Sequence, residues 1–521
     1  MATVHLILNA HLDPIWLWPW QAGLDAALAT CRSACERLDA HPDVRFTQGE
    51  AWLYREVERA DPALFARMRG HIAAGRWEVA GGWWTQPDCN LPSGFALRQQ
   101  IALGMEWFRD RFGSAPRIAC NPDSFGHAAT LPALMRAAGQ EAYVMMRPQE
   151  SELALPARLF RWRGQPDGAE VTVFRIADAY CTRTVTRDFV QRATTDLPAG
   201  CEHTMCFIGV GDHGGGPTEA QIAWCRANRD AIPGWRLEFS TLARFFAAVA
   251  PMTAALPLVV GELQQHAIGC YSVQRSVKTA IRRAEHLLAR ADAFVGPAGQ
   301  RRGWERVCLH HFHDTLGGTC IPSAYRQVKD AIGGAAADAD QALHHELRRR
   351  LRALPDDARQ RLVVANASNQ PFNGWIEHEP WLESPEGIPA RQDFTVVDDA
   401  DRPVPSQRLE PEALCHGLVR IAFRAALAPN EVRAYHLDYK VPAGAPVNDI
   451  PSRWREGAGL PTLTFADGEL APRLVALADD SDTWSHGRDR YADAPNDAQD
   501  QPVWSPLTAI CAGPLVARAP E

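Results

Sequence analysis

Two short stretches place metal-binding side chains where strands would end. Residues 4–9 have the pattern of a buried strand, and just past them the chain sets His11 and Asp13 two residues apart. Alternate residues of an extended segment point the same way, and a histidine and a carboxylate aimed together are half of a metal site. Pro14 stops the extension, and Trp16 supplies an apolar wall. Asn121-Pro122-Asp123-Ser124-Phe125-Gly126-His127 follows a second predicted strand and precedes a helix. In parallel α/β folds the carboxyl ends of strands converge on the active site, so Asp123 faces the same place. A helix-capping aspartate is the plainer alternative. His310-His311-Phe312-His313-Asp314-Thr315-Leu316-Gly317-Gly318 ends a predicted helix, and its two glycines let the chain turn sharply. A patch of surface histidines is the plainer alternative there. One ligand from this cluster would complete a His/Asp/Asp/His set with positions left open for substrate, a set that suits zinc.

A fourth stretch, Gly211-Asp212-His213-Gly214-Gly215-Gly216-Pro217-Thr218, also follows a predicted strand. It admits two readings. Gly209 to Gly214 spell G-x-G-x-x-G, with Glu238 downstream at roughly the offset of a ribose-binding acid. That reading makes the chain a dinucleotide-dependent oxidoreductase, but Glu238 sits inside a predicted strand, 235–240, rather than at its end. In the other reading the glycines let the backbone pass close to a ligand while Asp212 or His213 moves a proton. Two carboxylates flanking a bond are what glycoside hydrolysis needs, about 5–5.5 Å apart when configuration is retained. A different metal-dependent carbohydrate hydrolase, such as a deacetylase working through a metal-bound water, would use the same groups.

These groups meet only if strands and helices alternate, and up to about residue 255 they do. The spacing predicts strands over 4–9, 44–48, 77–81, 118–121, 142–146 and 205–210. It predicts helices over 26–40, 62–74, 94–112, 130–138 and 218–230, the last with Thr218 as N-cap. This alternation favours a parallel sheet or barrel. Helical spacing then dominates over 273–293, 304–313, 323–332 and 335–353. After Pro355, short strands are predicted over 361–365, 394–397, 417–424, 432–439 and 462–465, between Pro, Gly and Asp turns. The expected organisation is an α/β domain carrying the candidate site at 1–255, a helical bundle at 256–355 and a β-rich domain at 356–521.

Composition narrows the function classes. A chain of 521 residues, 46% of them hydrophobic, holds more than one core, and a net charge of −8 argues against a nucleic-acid surface. Seventeen tryptophans against eight tyrosines suit the faces of sugars, although most tryptophans anywhere are core residues. The 13 cysteines are odd in number and include no C-x-x-C pair, which points to metal-binding or structural thiols rather than a disulfide framework. The best apolar run, 245–259, is short and broken by Pro251 and Pro257, so no membrane span is expected. A strand beginning within a few residues of Met1 leaves no room for a secretory signal, and the expected location is the cytosol.

Taken together, the motifs resemble those of the zinc-dependent class II α-mannosidases of glycoside hydrolase family 38, in their bacterial or cytosolic form. They are His11-Leu12-Asp13-Pro14-Ile15-Trp16, Gly75-Arg76-Trp77-Glu78-Val79, Asp88-Cys89-Asn90-Leu91-Pro92-Ser93-Gly94 and the run from Asn121 to His127. The run from Gly211 to Thr218, Gly261-Glu262-Leu263-Gln264 with Gly269-Cys270-Tyr271-Ser272, and His313-Asp314 with Gly317-Gly318 complete the series. They stand in the family's order across most of the first 320 residues. The resemblance implies an irregular parallel (β/α) barrel, a helical bundle and a β-sandwich domain. It implies one zinc ion, or another divalent metal such as cobalt, held by His11, Asp13, Asp123 and His313. Asp123 would also be the nucleophile and Asp212 the acid/base, although many relatives carry an aspartate one position later, where this chain has His213. Trp16 and Phe125 match aromatic residues of the sugar subsite, Arg147 would steady the nucleophile or a sugar hydroxyl, and Tyr271 is a further candidate for a sugar contact. His311 and Asp314 would support His313, while His310 is read as a surface residue.

The implied partners are an α-mannoside oligosaccharide or mannose conjugate and a second copy of the chain in a homo-oligomer, with no nucleic acid and no membrane. The family usually runs well beyond 521 residues. The chain is therefore expected to be incomplete at its C-terminus, where Asp482-Thr483-Trp484-Ser485-His486-Gly487 resembles a family segment. A sugar-binding fragment with weak activity is the alternative outcome.

Overall fold

The computed structural model describes residues 1–264, 266–381, 394–409, 411–412 and 418–439. Beyond these it gives the backbone of five short strands, Arg453–Trp454, Leu463–Phe465, Gly468–Leu470, Cys511–Ala512 and Ala517–Arg518. The segment 482–487 lies outside the described residues. The chain forms two compact units. The described part of one is residues 1–289 with 300–339; the other takes 290–299 and the described residues from 340 onward. These units part within two long helices, whereas the sequence reading drew its boundaries at 255 and 355, where the texture changes.

The strands of the first unit are β1 (Ala2–Leu8), β2 (Phe46–Gln48), β3 (Trp77–Val79), β4 (Ile118–Asn121) and β5 (Ala142–Met145). They continue as β6 (Leu159–Arg163), β7 (Glu170–Arg175), β8 (His203–Ile208), β9 (Trp235–Phe239) and β10 (Leu258–Val260). They lie in three ladders. In β8-β1-β9 all strands are parallel, as they are in the pair β2-β3. The third ladder is β10-β6-β7-β5-β4, in which β4, β5 and β7 are parallel, while β6 runs antiparallel to β7 and β10 pairs parallel with β6. A single parallel bridge, Asn9 to Thr47, ties the end of β1 to β2. Among the described residues the ladders do not join into one continuous hydrogen-bonded ring.

Period-two packing explains the layering. Within β5, Tyr143 and Met145 enter a core with Leu97, Ile101, Leu131 and Met135, while Val144 belongs to a second core with Ile7, Phe174, Phe207 and Phe245. The sheet is thus buried on both faces, the usual condition of parallel strands.

The helices of this region are α1 (Trp20–Ala40), α2 (Ala51–Ala60), α3 (Pro62–Ala73), α4 (Gly94–Phe112), α5 (Leu131–Ala137), α6 (Arg187–Arg192), α7 (Glu219–Ala227) and α8 (Leu242–Val249). Where end signals are strong, the sequence and the structure agree. Ser93 caps α4 through Ala96 N–H and Gly113 closes it with φ 76°, and Thr218 forms a capping box with Gln221 at the start of α7. α1 begins six residues before the expected position. Its first turn packs through Gly23 against the Pro14 carbonyl, a contact that leaves no apolar signal. α2, α6, β6 and β7 are absent from the sequence reading. α2 was masked because Asp61 ends it and at once caps α3, accepting from Leu64 N–H at 2.9 Å.

Four further helices follow: α9 (Arg275–Phe294), α10 (Arg301–His310), the short α11 (His313–Gly317) and α12 (Pro322–Leu351). α12 corrects the expectation of two helices parted at Gly333-Gly334. Val328, Ile332, Ala335 and Ala339 keep one buried stripe running through the glycine pair. Two glycines in a helix lose about 2 kcal/mol relative to alanine, which packing on both sides of the pair offsets. No described helix is long and apolar enough to cross a membrane. Cys31, Cys35, Cys89, Cys308 and Cys320 are buried free thiols.

The second unit holds β11 (Arg361–Ala365), β12 (Phe372–His378), β13 (Thr395–Val397), β14 (Ser406–Leu409), β15 (Arg420–Leu427) and β16 (Val432–Asp438). They pair antiparallel as β11-β16-β13 and β12-β15-β14. Leu362, Val396 and Leu437 of one sheet share a core with Ile421, Phe423 and Leu427 of the other.

Buried histidines make the fold acid-sensitive. His5 bonds Ser240 at 2.7 Å, and burial, with the charges of His203 and Arg244, lowers it to about 4. His310 is buried, which corrects its reading as a surface residue, and burial with His311 lowers it to about 3. Between those values and about 6.5 the unfolded chain takes up protons that the native state refuses, so this contribution is complete above pH 6.5 and is lost as pH falls. For His310 the loss by pH 4 is about 3 kcal/mol. The melting temperature should fall steadily from pH 6.5 to 4, and less steeply in His310→Leu. An identical slope in that variant would contradict the assignment.

Candidate active site

The parallel strands deliver their following residues to one place. His11 and Asp13 follow β1, Asp123 follows β4, Arg147 follows β5, Tyr180 follows β7 and Asp212 follows β8. His313 arrives from the helical region at the first position of α11. An antiparallel bridge between Pro87 and Phe312 and the Asp88 N–H to His311 carbonyl bond at 2.8 Å lay this segment beside 86–88.

His11 Nε2 lies 2.8 Å from Asp13 Oδ1 and 3.6 Å from Asp123 Oδ2. His313 Nε2 lies 3.8 Å and 3.6 Å from the same two oxygens. Yet both ring nitrogens of His11, Asp13 Oδ1 and His313 Nε2 are buried without any hydrogen-bond partner. Buried polar atoms are almost always satisfied. Three of these orphans, His11 Nε2, Asp13 Oδ1 and His313 Nε2, face one another and fit a shared cation: single ligand atoms of the three residues lie within 4.8 Å of one another.

Electrostatics point the same way. Burial works against charge on His313, but Asp123, Asp314 and Asp13 outweigh it and raise the imidazole to about 10. Burial pushes the Asp13 carboxyl well above its usual range, with the Asp314 charge adding to it. The cluster is a negative well that favours positive charge at its centre. Two imidazoles and two carboxylates are a donor set suited to zinc or a similar divalent ion. The Gln86 carbonyl accepts from His313 Nδ1 at 2.9 Å, which leaves Nε2 as the free lone pair.

Asp123 presents its two oxygens to different neighbours. Oδ1 accepts from Arg147 Nε, while Oδ2 faces the imidazoles and accepts from Tyr180 Oη at 2.9 Å. Burial alone would raise this carboxyl, but Arg147, His313 and His11 hold it well below the carboxylate range. Arg147 is steadied in turn. Its Nη1 donates to His266 Nε2 at 2.8 Å, and His266 Nδ1 contacts Glu152 at 2.5 Å. Tyr180 also lies 2.7 Å from Asp212 Oδ1, so one phenol joins both carboxylates. Oxygens of Asp123 and Asp212 fall within 4.8 Å of each other.

The remaining predicted residues are distributed around this centre. Trp16 is half-buried and edge-on to Trp18 at 5.7 Å. Phe125 is only 1% exposed, packed edge-on to His313 at 5.6 Å rather than open to solvent. The Tyr271 hydroxyl accepts from Asn90 at 2.7 Å within a network that includes Gln264. That network explains Gly126, whose φ is 149° and where a Cβ would strike Gln264 Oε1. His311 Nε2 is 2.9 Å from Glu285, and its carbonyl accepts from Asp88 N–H. Asp314 Oδ2 lies 3.7 Å from His313 Nε2 and accepts from the Thr319 hydroxyl through Oδ1.

The glycine string is taken up by packing. A Cβ at Gly209 would strike the Asn9 carbonyl, one at Gly214 would strike Thr30 Oγ1, and Gly215 N–H donates to Thr30 Oγ1 at 2.8 Å. Glu238 is an exposed residue of β9, opposite His5. Tyr180 and Glu50 are absent from the sequence reading. Glu50 is 4% exposed and holds Gln86, and burial raises its carboxyl to about 7 against the pull of His11 and His313. The signals that could have led to them were the Leu159–Arg163 and Glu170–Arg175 strands before Tyr180, and the apolar positions of Ala51–Ala60 after Glu50.

Comparison with known proteins places this geometry in context. Residues 1–266 match the family model described as glycosyl hydrolases family 38 N-terminal domain. The chain is 29% identical over 334 residues to Alpha-mannosidase G of Dictyostelium discoideum, covering 61% of this chain and 31% of that protein. It is 28% identical over 338 residues to Alpha-mannosidase 2C1 of Homo sapiens, covering 61% of this chain and 32% of that protein. The alignments thus span about a third of the length of these curated relatives. In fold it is similar to the crystal structure of an alpha-mannosidase from Enterococcus faecalis V583, with a TM-score of 0.69 and 18% identity over 90% of this chain and 60% of that one.

Proposed function

The chain belongs to glycosyl hydrolase family 38, and from that membership we propose that it hydrolyses terminal α-D-mannosyl linkages with retention of configuration. The observation that carries the proposal is the approach of Asp123 and Asp212, whose oxygens lie within 4.8 Å and share the Tyr180 hydroxyl. Inverting enzymes hold their carboxyls roughly 6.5–9.5 Å apart to admit a water, and retaining ones about 5–5.5 Å. The curated relatives named alpha-mannosidase support the choice of sugar.

In this reading Asp123 attacks the anomeric carbon and Asp212 protonates the departing oxygen. Asp212 then deprotonates the water that releases the sugar from the Asp123 ester. A phenol carries one proton, so contact with two carboxylate oxygens is satisfied when one of the acids is protonated. Arg147 favours charge on Asp123, the attacking group, while Asp212, held by the same phenol, serves the leaving group. His11, Asp13, Asp123 and His313 would hold a zinc or similar divalent ion, which supplies Lewis-acid anchoring of sugar hydroxyls when bound. Trp16 would offer the sugar a flat apolar face, Phe125 would brace His313, and Tyr271 would act through Asn90. We also take the three ladders of the first unit as parts of an irregular barrel, the two antiparallel sheets as a sandwich, and the cytosol as the location.

The test is the stereochemistry of an aryl α-mannoside reaction followed by NMR at early times. α-Mannose as the first product, with the aryl β-mannoside left intact, is the expected result. β-Mannose first would refute retention, and sugar binding without any hydrolysis would refute the activity.

A further inference from the structure

Glu50 occupies a position that local preferences disfavour. It stands between β2 and α2 with φ 74°, in the left-handed region, and is 4% exposed. A residue with a Cβ is disfavoured there. Its carboxylate is buried with no Lys, Arg or His in ion-pair contact among the described residues. Both oxygens are instead spent on one residue: Oε1 accepts from Gln86 Nε2 at 3.0 Å, and Oε2 accepts from the Gln86 backbone N–H at 3.3 Å. A buried carboxylate gripping a neutral amide is an unfavourable arrangement in itself, so its use must lie in what Gln86 does.

Gln86 holds His313. Its carbonyl accepts from His313 Nδ1 at 2.9 Å and from the His313 backbone N–H at 3.2 Å. One oxygen therefore fixes both the entry of α11 and the rotation of the imidazole. The surrounding loop is fastened as well, with Ala51 N–H on the Trp83 carbonyl and Trp52 N–H on the Trp84 carbonyl, both at 2.9 Å. Within that frame the Glu50 clamp fastens both the side chain and the backbone N–H of Gln86. The gripped N–H and the working carbonyl belong to neighbouring peptide planes, so the influence is positional.

We infer that Glu50 is a positioning residue for the metal centre: by clamping Gln86 it aims His313 Nε2 at the cation, and its loss weakens metal binding rather than the fold. The inference rests on the reading of His313 as a metal ligand.

Two substitutions separate position from charge. Glu50→Leu removes the clamp at similar volume. Glu50→Gln keeps it, because the Gln86 amide, whose Oε1 is buried and unpartnered, can flip to accept from the new carboxamide. Zinc affinity is read by competition with a chromophoric chelator, and the coordination geometry by the visible spectrum of the cobalt-substituted protein. The expected result is a 10–100-fold weaker affinity and an altered cobalt spectrum for Glu50→Leu, the range typical of lost outer support. Glu50→Gln should stay within about threefold of wild type by the same scale. Equal affinity in all three proteins would overturn the inference, and so would equal weakening in both variants, which would make charge the cause. Should Glu50→Leu fail to fold, Gln86→Ala, which keeps the carbonyl but loses half the clamp, should still weaken zinc several-fold. An unchanged affinity there would overturn the inference too. A wild-type chain that binds no divalent metal would instead refute the reading of the site itself.

Discussion

Asp123→Asn should lower kcat on an aryl α-mannoside by about ten-thousand-fold or more, the scale on which removal of an attacking group is felt. Asparagine keeps the size of the side chain and an acceptor oxygen for Tyr180, but it cannot form the glycosyl ester. The substitution also strands Arg147, which now gives its Nε hydrogen to Asp123 and its Nη1 to a neighbouring histidine. Breaking a buried ion pair by removing one partner costs roughly 3–5 kcal/mol, and with Arg147 partly exposed the lower end applies. The variant should therefore melt several degrees lower. A double variant, Asp123→Asn with Arg147→Met, should regain much of the stability and none of the turnover. Turnover within tenfold of wild type in the single variant would remove Asp123 from the mechanism. Mass spectrometry of the wild type with a slow fluorosugar substrate should find the adduct on the peptide that carries Asp123.

The second large effect is expected from the metal. Chelation should abolish hydrolysis, and zinc or cobalt should restore it. Saturation at a hundred times Kd stabilises the folded chain by about 2.7 kcal/mol, enough to raise the melting temperature by roughly 5 °C. His11→Ala should weaken metal binding by more than about 100-fold, beyond the range seen for outer support, because His11 has no hydrogen bond to fall back on. Full activity after exhaustive chelation, with no metal in the protein, would exclude this reading of the cluster.

How much of this could be read in advance depended on how loudly each element announces itself. β1 and β4 are short apolar runs whose ends gave His11, Asp13 and Asp123 together, and α4 is capped by Ser93 and closed by Gly113, whereas Arg147 after β5 came only with the family resemblance. Tyr180 and Glu50 were invisible for the opposite reason. β6 and β7 alternate arginine and glutamate with their apolar residues, and α2 is separated from α3 by Asp61 alone. With those elements unassigned, the residues after them had no address. His310 misled because histidine type says nothing of burial. G-x-G-x-x-G was ambiguous because tight packing against Asn9 and Thr30 demands glycine as surely as a phosphate does.

The parallel pairing of β1 with β8 sets Leu8 beside Ile208, two hundred residues later, and the Asp13 N–H then donates to the Asp212 carbonyl at 3.0 Å. Contacts of such long range close late and slowly in folding. During synthesis the first two donors leave the ribosome some three hundred residues before His313, so they wait as an incomplete, strongly acidic notch until α11 is made. If the proposed cation is bound, its capture must wait until α11 is made, and a shortage of metal should be felt as a population of nearly folded chains rather than as unfolded ones.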